Sequence, residues 1–245
     1  MLALMGCGVS TLLGFVVYRQ NHAVCKRVEI QLEDAGELKM FTQEDVAKWV
    51  SEVGGDLISK RLDSIPLEVI RRRLLSESAV HSSDVYTTID GRCVVKVKQR
   101  IPVMRILENS GSSYYLDNEG YPISLGDDFF RLPLYTGHIS GSTYFQSVRV
   151  ADNKLLSELL ELNSAITQSE FWSGQFEHAT IGQYGEIVMV PRVGNQRIMF
   201  GMYGDYRDQL RRVKSFYDHI IEKGDLNRYA AIDARFRGQI VGIKN

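Results

Sequence analysis

The sequence has few of the residues that build disulfide frameworks, zinc sites or flexible linkers. Its 245 residues include three cysteines and five histidines. No CxxC, HxxxH or HExxH spacing occurs, so neither a disulfide framework nor a local zinc site is indicated. Five prolines and the lack of any low-complexity tract leave only short linkers. Basic residues (29) nearly balance acidic ones (30), which argues against a nucleic-acid-binding protein because such proteins usually carry a basic excess.

Motifs that carry catalysis or bind phosphate are also missing. No Gly-x-Ser-x-Gly nucleophile elbow, P-loop or Gly-x-Gly-x-x-Gly fingerprint is present. We therefore predict no catalytic residues, no metal site, no cofactor and no small-molecule substrate. Carboxylate pairs that meet only in the fold remain open at this point. The basic pairs and runs, Arg71–Arg73 and Arg211-Arg212, are interpreted as solvated helix faces, given the neutral net charge.

The first 18 residues carry no charged side chain. A helix of this length reaches roughly 27 Å, close to the ~30 Å hydrocarbon core of a bilayer. We predict a transmembrane anchor over residues 1–18 and a juxtamembrane segment over residues 19–27. A signal peptide and a buried core helix are the alternatives, although a signal peptide needs a basic leader that is absent here. The basic residues follow the anchor, which by charge bias alone favours a cytoplasmic C-terminal region.

Residues 28–100 follow the order strand, helix, helix, strand, strand. Val28–Glu33 alternates apolar and polar residues, as a half-buried strand does. Thr42 and Asp45 have the spacing of a capping box, and the helix that they begin ends at Gly54-Gly55. A second helix begins near Pro66, a residue favoured in the first turn.

The strands Asp84–Ile89 and Arg92–Gln99 form a predicted hairpin. A two-residue turn at Asp90-Gly91 would place Val85 opposite Lys96 and mix the two faces. A three-residue loop instead pairs Val85 with Val95 and Thr87 with Cys93, and places Gly91 at the left-handed position of such loops. We predict the second register, with Cys93 as a small apolar packing residue.

Residues 101–245 are predicted to form a mixed, β-rich domain, which makes the chain an α+β protein. Hairpins surround residues 117–120, 182–185 and 194–195, and helices begin near residue 152 and at residue 206. The terminal stretch Ile232–Phe236 alternates apolar and polar residues and is predicted to be an edge strand, whose unpaired backbone groups can bind a strand of another protein. The alternative is that Ile232–Phe236 is a central strand and only the last few residues are free.

This organisation and several short motifs resemble the FtsQ/DivIB family of bacterial cell-division proteins. Residues 28–99 resemble a POTRA domain, a βααββ unit. The motifs that carry the resemblance are Ser64–Leu67, Ala79–Val85, Lys98–Val103, Tyr115–Gly120 and Ala231–Phe236. Two positions depart from the family pattern, since Ala234 replaces the usual Leu and Phe236 the usual Tyr.

The resemblance implies a non-enzymatic scaffold at the division septum, held in the inner membrane by a single N-terminal helix with the bulk of the chain in the periplasm. It implies that the protein binds the single-span proteins FtsB and FtsL, partly by strand addition to the last strand of the β-domain. The docking residues carried over are Ile232, Asp233, Arg235, Phe236, Gly238, Gln239, Ile240 and Val241.

Two other functions remain open from the sequence. A POTRA-containing component of a secretion or outer-membrane assembly system would carry further POTRA units or a barrel. A membrane-tethered periplasmic hydrolase would need a deep cleft with converging acidic groups.

Overall fold

A computed structural model describes residues 23–33, 38–126, 129–139, 153–202 and 204–245. The chain divides between Arg100 and Ile101 into two compact units. The predicted anchor, residues 1–18, lies outside the described residues, and so do residues 19–22 of the juxtamembrane segment. Among the helices that the structure describes, none is long and apolar enough to cross a bilayer.

The first unit has the predicted order of strand, two helices and two strands. Its elements are β1 (Arg27–Leu32), α1 (Gln43–Gly54), a 3-10 turn (Leu62–Ser64), α2 (Leu67–Leu75), β2 (Val80–Thr87) and β3 (Arg92–Gln99). The sheet order is β1-β3-β2, with β1 parallel and β2 antiparallel to β3. The core forms between the sheet and the two helices, where Val46, Val50, Ile70 and Leu74 pack with Val95.

The capping box at the start of α1 is confirmed. The Thr42 hydroxyl accepts a hydrogen bond from the Asp45 N–H, and the Thr42 N–H donates to Asp45 Oδ2 at 2.8 Å. The Thr42 N–H and hydroxyl both donate to Asp45 Oδ2, and these two bonds lower the pKa of the Asp45 carboxyl below its usual value. Two N–H groups at the helix start are thereby satisfied by two side chains.

The predicted hairpin register is also confirmed. Val85 pairs with Val95 and Thr87 with Cys93, and Gly91 has φ +90°. A Cβ at Gly91 would lie 2.9 Å from the Val24 carbonyl oxygen, so both the turn and the close backbone approach require glycine. Cys93 is fully buried, as predicted for a packing residue, and burial raises the pKa of its thiol to about 11.

In the residues that the structure describes, the second unit is a nine-stranded sheet with three helices. Its elements are β4 (Pro102–Glu108), β5 (Ser113–Asp117), β6 (Pro122–Ser124), β7 (Leu134–Gly137), α3 (Lys154–Thr167), α4 (Glu170–Gln175), β8 (Phe176–Ile181), β9 (Ile187–Pro191), β10 (Arg197–Phe200), α5 (Tyr206–Glu222), a 3-10 turn (Leu226–Arg228), β11 (Tyr229–Asp233) and β12 (Val241–Lys244). The strand order is β12-β11-β10-β9-β8-β7-β4-β5-β6.

One face of this sheet packs on the helices. Burial alternates along β4, β9 and β10, so that Ile198 and Phe200 of β10 are buried while Arg197 is exposed and Met199 is half-buried. The helical layer is tied together by polar contacts as well as by packing, because Trp172 of α4 donates its indole N–H to the Leu210 carbonyl of α5 at 3.0 Å. The arrangement is that of a sheet with one buried and one more exposed face.

The predicted terminal strand Ile232–Phe236 is wrong in its bounds and its position. The strand β11 starts at Tyr229 and ends at Asp233, and it lies between β10, which is parallel to it, and β12, which is antiparallel. The open alternative is right that this strand is central, but the last residues are not free, because Val241–Lys244 form β12 and pair with β11. The alternation predicted to continue through Arg235 and Phe236 stops because the chain turns away to form β12, and Phe236 is 47% exposed.

Replacing Thr42 by Ala should destabilise the first unit by about 1 kcal/mol, because it removes the hydroxyl that accepts from the Asp45 N–H and donates to Asp45 Oδ2. Urea unfolding followed by the fluorescence of Trp49 measures this change. Thr42→Ser keeps the hydroxyl and serves as the control. Equal stability of wild type and Thr42→Ala would show that the capping box contributes nothing.

Candidate partner-binding edge

The strand β12 forms one edge of the nine-stranded sheet. It pairs with β11 in the register Ala231↔Ile243, Ile232↔Gly242 and Asp233↔Val241. On its other side no strand of the described residues pairs with it. The chain therefore presents a row of backbone groups that a further strand can bind.

The backbone groups that face outward can be identified. The Asn245 N–H donates to the Arg228 carbonyl at 3.1 Å, so the backbone N–H of Asn245 points toward β11. Backbone N–H and C=O groups alternate between the two sides of a strand. The N–H and C=O groups of Gly242 and Lys244 consequently point away from β11, toward the open side.

The two faces of β12 differ in character. Val241 and Ile243 lie opposite Asp233 and Ala231, on the face away from the helices, and are 39% and 43% exposed. Gly242 lies on the helix side, where a Cβ would come within 2.8 Å of the rings of Phe216 and Tyr229. Gly242 thus lets the edge strand lie close to these two rings, whose centroids are 5.2 Å apart.

An arginine of α5 fixes the connection between β11 and β12. Arg212 Nη1 donates to the Phe236 carbonyl at 3.1 Å and to the Gln239 carbonyl at 2.6 Å. Its Nε donates to Asp208 Oδ2 at 2.7 Å, and its side chain is only 17% exposed. The interpretation of Arg212 as a solvated residue is therefore wrong, whereas Arg211 beside it is 77% exposed.

The carboxylate of Asp233 is hydrogen-bonded within its own chain. Its carboxylate accepts hydrogen bonds from the backbone N–H, the Nε and the Nη2 of Arg235, at 3.0, 2.9 and 2.6 Å. The side chain of Asp233 is 5% exposed, and that of Arg235 is 48% exposed. The hydrogen bonds from Arg235 lower the pKa of the Asp233 carboxyl, and they outweigh the opposite effect of its burial.

The structure divides the eight predicted docking residues into two groups. Arg235, Phe236 and Val241 are accessible to a partner. Gly238 and Gln239 are exposed as well but form the turn before β12, whereas Ile232 and Asp233 are buried and Ile240 is half-buried. Gly238 has φ +74°, a left-handed turn conformation. Binding by these residues remains a prediction.

Three residues at this edge were missed by the sequence reasoning. Ile243 and Lys244 belong to β12, and the closing apolar stretch Ile240–Ile243 was the signal that a further strand follows the turn. Arg212 offered no signal, because its contacts are with backbone carbonyls more than twenty residues away.

Each of the two units matches a known protein family. Residues 101–243, more than half of the chain, match the family described as FtsQ/DivIB, C-terminal related. Residues 23–98 match the POTRA-like domain. No curated protein matches the sequence significantly.

Replacing Arg212 by Met should release the β11–β12 connection while leaving α5 in place. We expect the amides of Val241 and Ile243 to exchange with solvent about tenfold faster, because bonds from a charged donor to two carbonyls are lost. Hydrogen exchange measured by mass spectrometry or NMR tests this. Arg211→Met, at the exposed neighbour, is the matched control, and equal protection in both variants would contradict the role of Arg212.

The Asp233–Arg235 contact should make stability depend on pH. Because the pKa of Asp233 is lower in the folded than in the unfolded chain, its carboxylate stabilises the fold at neutral pH. That contribution is lost as the pH falls from about 4 through the folded pKa. Asp233→Asn should therefore be less stable than wild type at pH 7, with a smaller difference at pH 3, in urea unfolding.

The control for this pH effect is Asp218→Asn, a change of an exposed carboxylate on α5 that is paired with Lys214. It should alter stability little at either pH, since exposed ion pairs contribute weakly. A difference between wild type and Asp233→Asn that stays constant from pH 7 to pH 3 would contradict the assignment.

Proposed function

We propose that this chain, which belongs to the FtsQ/DivIB, C-terminal related family, is a scaffold of the bacterial division septum that binds its partners through β12. The family acts in cell division, in association with the membrane, and like POTRA-like domains its members are generally not enzymes. The observation that carries the proposal is the unpaired side of β12, with the outward backbone groups of Gly242 and Lys244.

Strand addition explains how such an edge would bind. A partner segment in extended conformation forms hydrogen bonds with the outward N–H and C=O groups, which provide affinity. The exposed side chains of Val241 and Ile243 then contact alternate residues of the segment and provide apolar burial. Phe236, 47% exposed at the turn that precedes β12, extends this apolar surface.

The partners proposed are proteins of the FtsB and FtsL type. In this arrangement residues 1–18 anchor the chain in the inner membrane as a single span, and residues 28–100 and 101–245 form the POTRA-like domain and the β-domain on the periplasmic side. The protein recruits and links its partners and performs no reaction.

The structure supports a revised set of contact residues for this edge. We propose that Arg235, Phe236, Val241, Ile243 and Lys244 contact the partner, since all five are exposed. Ile232 and Ile240 support the edge from the core, and Gly238 and Gln239 shape the turn before it.

Replacing Lys244 by Pro should abolish partner capture without unfolding the domain. Proline removes an N–H that points to the open side and adds a ring where the partner backbone would lie. We expect at least about a tenfold loss in co-purification of co-expressed FtsB and FtsL of the same organism. Lys244→Ala, which keeps the N–H and loses only the side-chain charge, should retain most of the binding.

The same pair of variants tests the cellular role. Cells depleted of the protein should form filaments with unfinished septa, and Lys244→Ala should restore division where Lys244→Pro does not. Hydrogen exchange at β11 verifies that the fold persists in the proline variant. Undiminished capture and restored division with Lys244→Pro would reject strand addition at β12.

A further inference from the structure

Backbone pairing with β12 does not by itself define where a partner segment stops. The strand has four residues, and two exposed apolar side chains alternate with Gly242 and Lys244. A segment shifted by two residues would form the same backbone hydrogen bonds with the same faces in contact. Register is weakly specified in such a case, unless a side chain at one end is held in a defined position.

A cavity of about 440 Å³ lies beside the C-terminal end of β12. Three asparagines (Asn195, Asn227 and Asn245), Arg197 and the β11 residues 229–231 line it. Its volume falls within the range of cavities that hold ligands. Arg197 pairs with Ala231, which pairs with Ile243, so the cavity lies on the same sheet face as the exposed apolar residues of β12.

The chemistry of this cavity favours an anion. Within the described part of the chain, the guanidinium of Arg197 has neither an ion pair nor a hydrogen bond, although its backbone belongs to the β10–β11 ladder. No carboxylate side chain lines the cavity, and the asparagine amides offer further N–H donors. A guanidinium without a partner suits a carboxylate that it can bind with two hydrogen bonds.

We infer that this cavity binds the carboxylate of an Asp or Glu that flanks the partner's pairing segment, and that Arg197 thereby fixes the register of strand addition. The inference rests on the proposed function. Arg197 stands on β10, and an added strand would lie three strand spacings away, about 14 Å. An extended chain covers that distance in about four residues. The acidic residue therefore follows or precedes the paired segment by about four positions.

Co-purification with FtsB and FtsL separates this inference from the proposed function. Arg197→Gln should weaken capture about tenfold while urea unfolding stays unchanged, and Arg197→Lys, which keeps the charge, should fall between wild type and Arg197→Gln. Arg192→Gln removes an exposed arginine outside the cavity and should have no effect. Unchanged capture with Arg197→Gln overturns the inference. If Lys244→Pro still abolishes capture in that case, the proposed function stands; if it does not, both fall.

A second measurement needs no partner protein. The full-length chain is titrated with capped glutamate (N-acetyl-glutamate N-methylamide) and with capped glutamine, and the side-chain amide signals of Asn195 and Asn227 are followed by NMR. We expect saturable shifts with the glutamate alone, and their loss in Arg197→Gln but not in Arg192→Gln. Equal shifts with both compounds, or shifts that persist in Arg197→Gln, would overturn the inference.

Discussion

The unpaired backbone of β12 is the structural feature on which the proposed function of this protein depends. Backbone N–H and C=O groups are satisfied almost everywhere in folded proteins, by other backbone groups, side chains or water. In β12 the N–H and C=O groups of Gly242 and Lys244 face outward, and no strand of the described residues forms hydrogen bonds with them. An exposed edge of this kind promotes aggregation in most proteins and serves as a binding surface in some. Here the basic side chains around it oppose indiscriminate pairing.

The helical layer determines where this edge lies. Arg212 of α5 holds the carbonyls of Phe236 and Gln239, and the charge of this mostly buried arginine is balanced by Asp208 one turn earlier in the helix. Gly242 lets the strand approach Phe216 of the same helix. The edge is therefore tied to α5 at two points, one polar and one steric. A short strand at the end of a sheet would otherwise be prone to fraying.

Local patterns predicted several elements down to single residues. The register of the β2–β3 hairpin followed from keeping Val85 and Val95 on one face with Gly91 in the loop, and the capping box of α1 followed from the spacing of Thr42 and Asp45. The pairing of β10 with β11 did not follow from any local pattern. These strands are parallel and separated by the whole of α5, and the first residues of β11, Tyr-Ala-Ala, show no alternation of apolar and polar residues.

The sequence by itself therefore determined the fold class, the order of elements in the first unit, and the presence of a β-rich second unit whose closing residues are apolar and basic. Only the tertiary structure decided which strand forms the edge and that Asp233 forms an ion pair with Arg235. It also decided that Arg212 contacts the turn before β12 and that Arg197 lines the cavity beside β12. The physical reason is that helix caps and hairpins are interactions between near neighbours in the chain. The edge strand depends instead on which distant segments occupy the sheet, and local propensity does not encode that choice.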